Sequence, residues 1–120
     1  MKREYKFFLN DILEAVDSIH KFSEGLNFDS FKRNKLIVDA CVRNIEIVAE
    51  AIKNIPIEVK NDYPDIPWSK VIGFRNMVIH QYWVIDKEIL WDIIQTKLES
   101  LKEQISDVLE KEKKLKRIIK

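Results

Sequence analysis

"DKEILWDIIQTKLESLKEQISDVL", residues 86–109, places Ile89, Leu90, Ile93, Ile94, Leu98, Leu101, Ile105, Val108 and Leu109 on a single stripe at helical spacing. No glycine or proline interrupts it, and Asp86 stands where an N-cap belongs. The stretch predicts a long amphipathic helix whose apolar side needs other helices to cover it.

The same period recurs upstream. Tyr5, Phe8, Leu9, Ile12, Val16 and Ile19 form the stripe of a first helix, with Gly25 at its expected stop. "LNFDSF" is a connector with Asp29 or Ser30 as the next cap. A second helix is expected from about Lys32 to Ile55, striped by Leu36, Val42, Ile45, Val48, Ala49 and Ile52 and ended by Pro56. All three prolines lie between residues 56 and 67, which reads as a bent segment with one short helical turn. Pro67 suits the first turn of a third helix, Trp68 to Trp83. Four to five helices with short connections make an all-α antiparallel bundle over residues 1–110, followed by a basic helical tail, 111–120.

Composition agrees. A chain of 120 residues, 46% hydrophobic and 34% charged, has the make-up of one folded domain. Its formal net charge of +1 gives no global pull toward nucleic acid or membrane, so any RNA contact must come from a local patch. Cys41 is the only cysteine, which excludes an internal disulfide and a multi-cysteine metal site; it reads as a small core residue. "MKREYKFFLN" is charged from its second residue, and no apolar run reaches membrane-spanning length, so a cytoplasmic protein is expected.

The third helix is the anomalous one. Arg75, Asn76, His80 and Tyr82 interrupt the otherwise apolar run Val71, Ile72, Phe74, Met77, Val78, Ile79 and Trp83. At about 100° per residue, Asn76 and His80 are one turn apart, while Arg75 and Tyr82 share nearly one line. A helix apolar on almost every side is buried on several, and in so small a bundle a second subunit is expected over one of them. The polar groups then either satisfy one another, as a structural ion pair and a core histidine, or line a cleft. Spacing leaves both open.

"IPWSKVIGFRNMVIHQYWVID" resembles the signature of the HepT-like branch of the HEPN superfamily: Arg, four residues, His, one residue, Tyr. Pro67, Trp68, Gly73, Arg75, Asn76, His80, Tyr82 and Asp86 match. Phe74 and Gln81 fall at variable positions, and Ser69 replaces a commonly basic residue. "FLNDILEAVDSI" and "VRNIEIVAEAIKNI" resemble the family's first two long helices, so the likeness spans all but the tail. It implies a HEPN-like homodimer with two motifs facing a shared cleft. It further implies a metal-independent ribonuclease, the toxin of a type VII-like toxin–antitoxin pair. Its partner would be a minimal nucleotidyltransferase that silences it by transferring AMP to Tyr82.

The residue types suit that chemistry. Histidine titrates near neutrality and can give or take a proton, so His80 is the candidate acid or base. Arg75 offers a fixed charge and a planar fork for phosphate oxygens. Asn76 is assigned to orienting the imidazole or the phosphate. His20, near the first helix end, reads as a surface residue. Lys111, Lys113, Lys114, Lys116 and Arg117 alternate with Glu110 and Glu112, which favours a solvated helix end over a phosphate grip. Trp68, Trp83 and Trp91 read as core or interface anchors in preference to base-stacking platforms. The competing reading is a non-catalytic HEPN dimer that binds a nucleotide or a partner nucleotidyltransferase through the same cleft.

Overall fold

The structure, a computed structural model, describes residues 4–119, with side chains through Leu115. Its helices are α1 (Tyr5–Ser23), α2 (Phe28–Lys32), α3 (Lys35–Lys53), α4 (Ile57–Asp62), α5 (Trp68–Ile72), α6 (Phe74–Val78), α7 (Lys87–Thr96) and α8 (Leu98–Ile119). A single 3₁₀ turn covers Gln81–Trp83. The bundle is all-α: among the described residues the only extended pairing is one antiparallel bridge, Ile79 with Ile85. No described helix is long and apolar enough to cross a membrane.

The predicted stripes form the core. Leu9, Ile12, Val16 and Ile19 of α1 are fully buried, as are Leu90, Leu98 and Ile105 of α7 and α8. Each such side chain contributes about 1.5–3 kcal/mol of burial. Cys41 sits among them, fully buried. Polar pairs fix the antiparallel register of α1 and α8. Asp17 meets Lys102 at 2.8 Å, His20 meets Glu99 at 3.7 Å, and Tyr5 at the start of α1 donates to Glu112 near the end of α8. Tyr63, after α4, donates to the other oxygen of Glu112 at 3.0 Å. One carboxylate thus ties three segments together.

Several boundaries differ from the sequence reading, each for a local reason. The cap of α2 is Asn27, not Asp29 or Ser30: its Oδ1 accepts from Ser30 N–H at 2.8 Å while Ser30 Oγ accepts from Asn27 N–H at 3.1 Å. The expected helix from Lys32 to Ile55 is divided because Asn34 caps a new start, accepting from Ile37 N–H at 3.1 Å. Leu36, assigned to the buried stripe, lies in that new first turn and is 80% exposed. Pro67 precedes α5 as its N-cap rather than occupying its first turn. The last long helix bends at Lys97 (φ −116°, ψ −36°), yet its apolar stripe continues unbroken. Helix α8 runs on through Ile119, and the side chains of Lys116 and Arg117 lie outside the described residues.

The largest correction concerns the third helix. It bends at Gly73 and ends at Val78, not Trp83. Ile79 is extended (φ −106°, ψ 119°), and the β-branched pairs Val78–Ile79 and Val84–Ile85 close a short hairpin. Asp86 N–H donates to Val78 carbonyl at 2.7 Å and His80 N–H to Val84 carbonyl at 2.8 Å. Val78 and Ile79 are buried beneath this ladder, which ties the hairpin to the core.

Candidate active site

His80, Tyr82 and Trp83 therefore stand on the hairpin rather than on a helix. Only Arg75 and Asn76 remain helical, in α6. The pairing of Asn76 with His80 across one turn, and the alignment of Arg75 with Tyr82, do not exist in the folded chain.

The hairpin tip is conformationally costly. Tyr82 and Trp83 have φ of 59° and 61°, the left-handed region that glycine or asparagine enters more readily. Two adjacent aromatic residues held there store on the order of 1 kcal/mol or more each. The ladder below over-determines them. Tyr82 is 95% exposed and Trp83 64% exposed. Of the core and interface roles expected of the tryptophans, the core role is not met at Trp83, whereas Trp68 is buried and Trp91 packs on Phe31 at 4.9 Å between centroids.

Arg75 is half-buried and makes no ion pair among the described residues. Its Nη1 donates to Asn76 Oδ1 at 3.3 Å, and its guanidinium lies 5.2 Å from the Trp83 ring centroid. An arginine held by an amide and an aromatic face keeps its full charge for an incoming anion. The structural ion pair that the sequence also allows is not formed among the described residues.

His80 is half-exposed, with Nε2 3.5 Å from Asp86 Oδ2. The other oxygen of Asp86 accepts from Ile89 N–H at 3.1 Å and caps α7. One carboxylate thus caps a helix and stands at the outer limit of hydrogen-bond distance from the imidazole. The sequence marks Asp86 as a cap and as a position of the motif; its contact with His80 depends on the hairpin, which periodicity does not show.

Arg75 and His80 open onto different cavities. Arg75 borders one of about 350 Å³ between α1, α3 and α6, with Asp11, Arg43 and Glu46. His80 borders another of about 530 Å³ with Lys32, Asp86 and Lys87. No described contact joins the two side chains. Nor are any three His, Cys, Asp or Glu among the described residues grouped as a metal would require. His20 lies away from this region, facing α8.

Residues 12–108 match the family described as "Ribonuclease HepT-like". The chain belongs to the HepT-like family. It is 38% identical over 102 residues to "Probable ribonuclease HepT" of Thermococcus cleftensis, covering 85% of this chain and 93% of that protein. It is 35% identical over 107 residues to "Putative RNase MJ1380" of Methanocaldococcus jannaschii, covering 89% and 98%. A third relative, "Gamma-glutamylcyclotransferase and putative RNase MJ0434" of the same organism, is 34% identical over 110 residues. There the match takes 92% of this chain but 50% of the relative, so the HepT-like unit spans half of that protein. No solved structure matches the chain. The HepT-like match contains α3, α5, α6, the hairpin and α7 whole, and so encloses every residue of the candidate site.

Proposed function

We propose that this HepT-like protein is a metal-independent endoribonuclease and the toxin of a type VII-like pair with a minimal nucleotidyltransferase. The observation that carries the reading is an arginine free of any described carboxylate partner, on α6, followed on the adjoining hairpin by a half-exposed histidine that faces a helix-capping aspartate. The family membership and the ribonuclease names of the relatives support it.

In the proposed reaction the ribose 2′-OH attacks the adjacent phosphorus. A 2′-O–P bond forms, the bond to the 5′-oxygen breaks, one proton leaves the 2′-OH and one arrives on the departing oxygen. His80 serves in one of these proton roles. Arg75 neutralises the crowded phosphate, and Asn76, bonded to its guanidinium, holds the fork in orientation. A second subunit would supply the histidine for the other proton role and close the two motifs around one phosphate.

Tyr82 is the proposed off-switch. Its near-complete exposure at the hairpin tip gives another enzyme's active site access to the hydroxyl. The phenol oxygen would attack the α-phosphorus of ATP, releasing pyrophosphate and a proton and leaving AMP on Tyr82. The added negative charge and bulk would then exclude RNA.

Purified protein incubated with RNA in excess chelator tests the reading. Cleavage by the wild type and none by His80→Ala is expected. Undiminished cleavage by His80→Ala, or RNA bound but left intact by the wild type, would refute it; the latter outcome selects the non-catalytic binding dimer.

A further inference from the structure

Resting on the ribonuclease reading, we infer that single-stranded RNA is held in the groove between α2, α3 and the hairpin, with one base stacked on Trp83. The groove, about 930 Å³, carries Lys32, Arg33, Lys35, Arg43 and Lys87 on its walls together with Trp83. Five cations stand there against two acids, Asp39 and Glu46, in a chain whose overall charge is only +1. Lys35 is already bonded to Asp39 at 2.6 Å, Arg33 to Asp29 at 2.8 Å, and Lys32 faces the same Asp29 at 3.8 Å. Arg43 and Lys87 make no ion pair among the described residues and keep their charge for a ligand.

The position of the groove gives it meaning. It shares Arg43 and Glu46 with the cavity of Arg75, and Lys32, Ile85 and Lys87 with the cavity of His80. A strand lying in it therefore passes from one half of the divided site to the other. Trp83 stands at this junction, 64% exposed and steadied by the Arg75 guanidinium. A basic track interleaved with an exposed aromatic ring suits an unpaired strand, whose bases are free to stack, better than a duplex, whose bases are occupied. From sequence Trp83 reads as a core or interface anchor in preference to a stacking platform, because it stands as one more apolar residue at the end of an expected helix.

The test measures anisotropy of a fluorescein-labelled RNA of about a dozen nucleotides, within the size such sites hold. It carries 2′-O-methyl groups throughout, so it cannot be cleaved. The full chain is titrated with this strand and with its duplex across a salt series. Tighter binding of the single strand is expected, with Trp83→Ala weakening it about tenfold, the scale of one stacked base. Trp83→Phe should retain most of the affinity. Arg43→Ala and Lys87→Ala should each lower the slope of log affinity against log salt by about 0.7. Binding by Trp83→Ala and by the Arg43→Ala/Lys87→Ala double variant within twofold of wild type, or preference for the duplex, overturns the groove. The same proteins are then given cleavable RNA. A wild type that binds with these dependencies yet cuts nothing refutes the ribonuclease reading and leaves the groove standing; one that cuts while the variants bind equally well does the reverse. Trp83, Arg43 and Lys87 are exposed, so thermal melts should coincide with the wild type and exclude misfolding as the cause.

Discussion

His80 Nε2 and Asp86 Oδ2 face each other at 3.5 Å across the mouth of the hairpin, and the second oxygen of the same aspartate caps α7. The two duties are separable. Asp86→Asn keeps a competent N-cap but removes the charge beside the imidazole, so RNA cleavage should fall about 10–100-fold with the melting temperature nearly unchanged. Asp86→Ala should lose cleavage and also about 1 kcal/mol of stability through the missing cap. Equal cleavage by Asp86→Asn and wild type would remove the aspartate from the mechanism.

Arg75 tests the difference between a charge and a fork. Single-turnover cleavage by Arg75→Ala should drop by about two orders of magnitude or more, and Arg75→Lys should recover little of it, because an ammonium cannot present two parallel donors. Full recovery in the lysine variant would show that charge alone is needed.

Tyr82 makes no described hydrogen bond and projects into solvent. Tyr82→Phe should therefore melt within about 0.5 kcal/mol of wild type; on the proposed pairing with a minimal nucleotidyltransferase, the variant should refuse its AMP and keep cleaving RNA in its presence. Mass spectrometry of the co-expressed proteins checks this; AMP found on Tyr82→Phe would place the modification elsewhere.

Alkaline conditions should weaken the bundle. Burial first, and the Glu112 carboxylate second, push Tyr63 up to about 12, and Tyr5 is raised by the same causes. For an acid whose folded pKa lies above its unfolded value near 10.0, the stabilisation is whole below that pH and vanishes as pH climbs toward 12. Urea midpoints should decline over that interval. Tyr63→Phe should start lower by about 1 kcal/mol at neutral pH and decline less steeply.

Cys41 is the natural reporter of opening. Burial pushes its thiol up to about 12, so almost no thiolate is present in the folded chain near neutrality. Iodoacetamide at pH 8 should leave native protein unlabelled and modify it at a rate that follows urea-induced unfolding. Prompt labelling without denaturant would contradict the buried placement.

The sequence makes most of the scaffold readable, because its signals are local and repeated. Stripes from Leu9 to Ile19 and from Ile89 to Leu109, the stop at Gly25, the cap at Asp86 and the break at Pro56 all follow from periodicity and side-chain chemistry. What periodicity cannot show is where an apolar run changes backbone. Val78-Ile79 continues a helical stripe and suits an extended pair equally well, and only pairing with Val84-Ile85 decides between them. Every candidate residue beyond Asn76 inherits that error, which is why the sequence can single out Arg75, Asn76, His80 and Tyr82 as candidates but cannot give their arrangement. Asn34 was missed for a related reason: the apolar pattern runs through it, and only its side chain bonded to Ile37 N–H marks a new beginning.

The left-handed backbone at Tyr82 and Trp83 has an evolutionary corollary. Any selection for heat resistance alone would favour asparagine or glycine at these two positions, since either relieves the backbone at no loss to the core. Substitutions that raise the melting point there should cost RNA binding at Trp83 and the proposed AMP acceptor at Tyr82. A library sorted only for thermal tolerance would thus mark the hairpin tip by its enrichments, and reveal where this fold gives up robustness for biological purpose without a single nucleotide being cut.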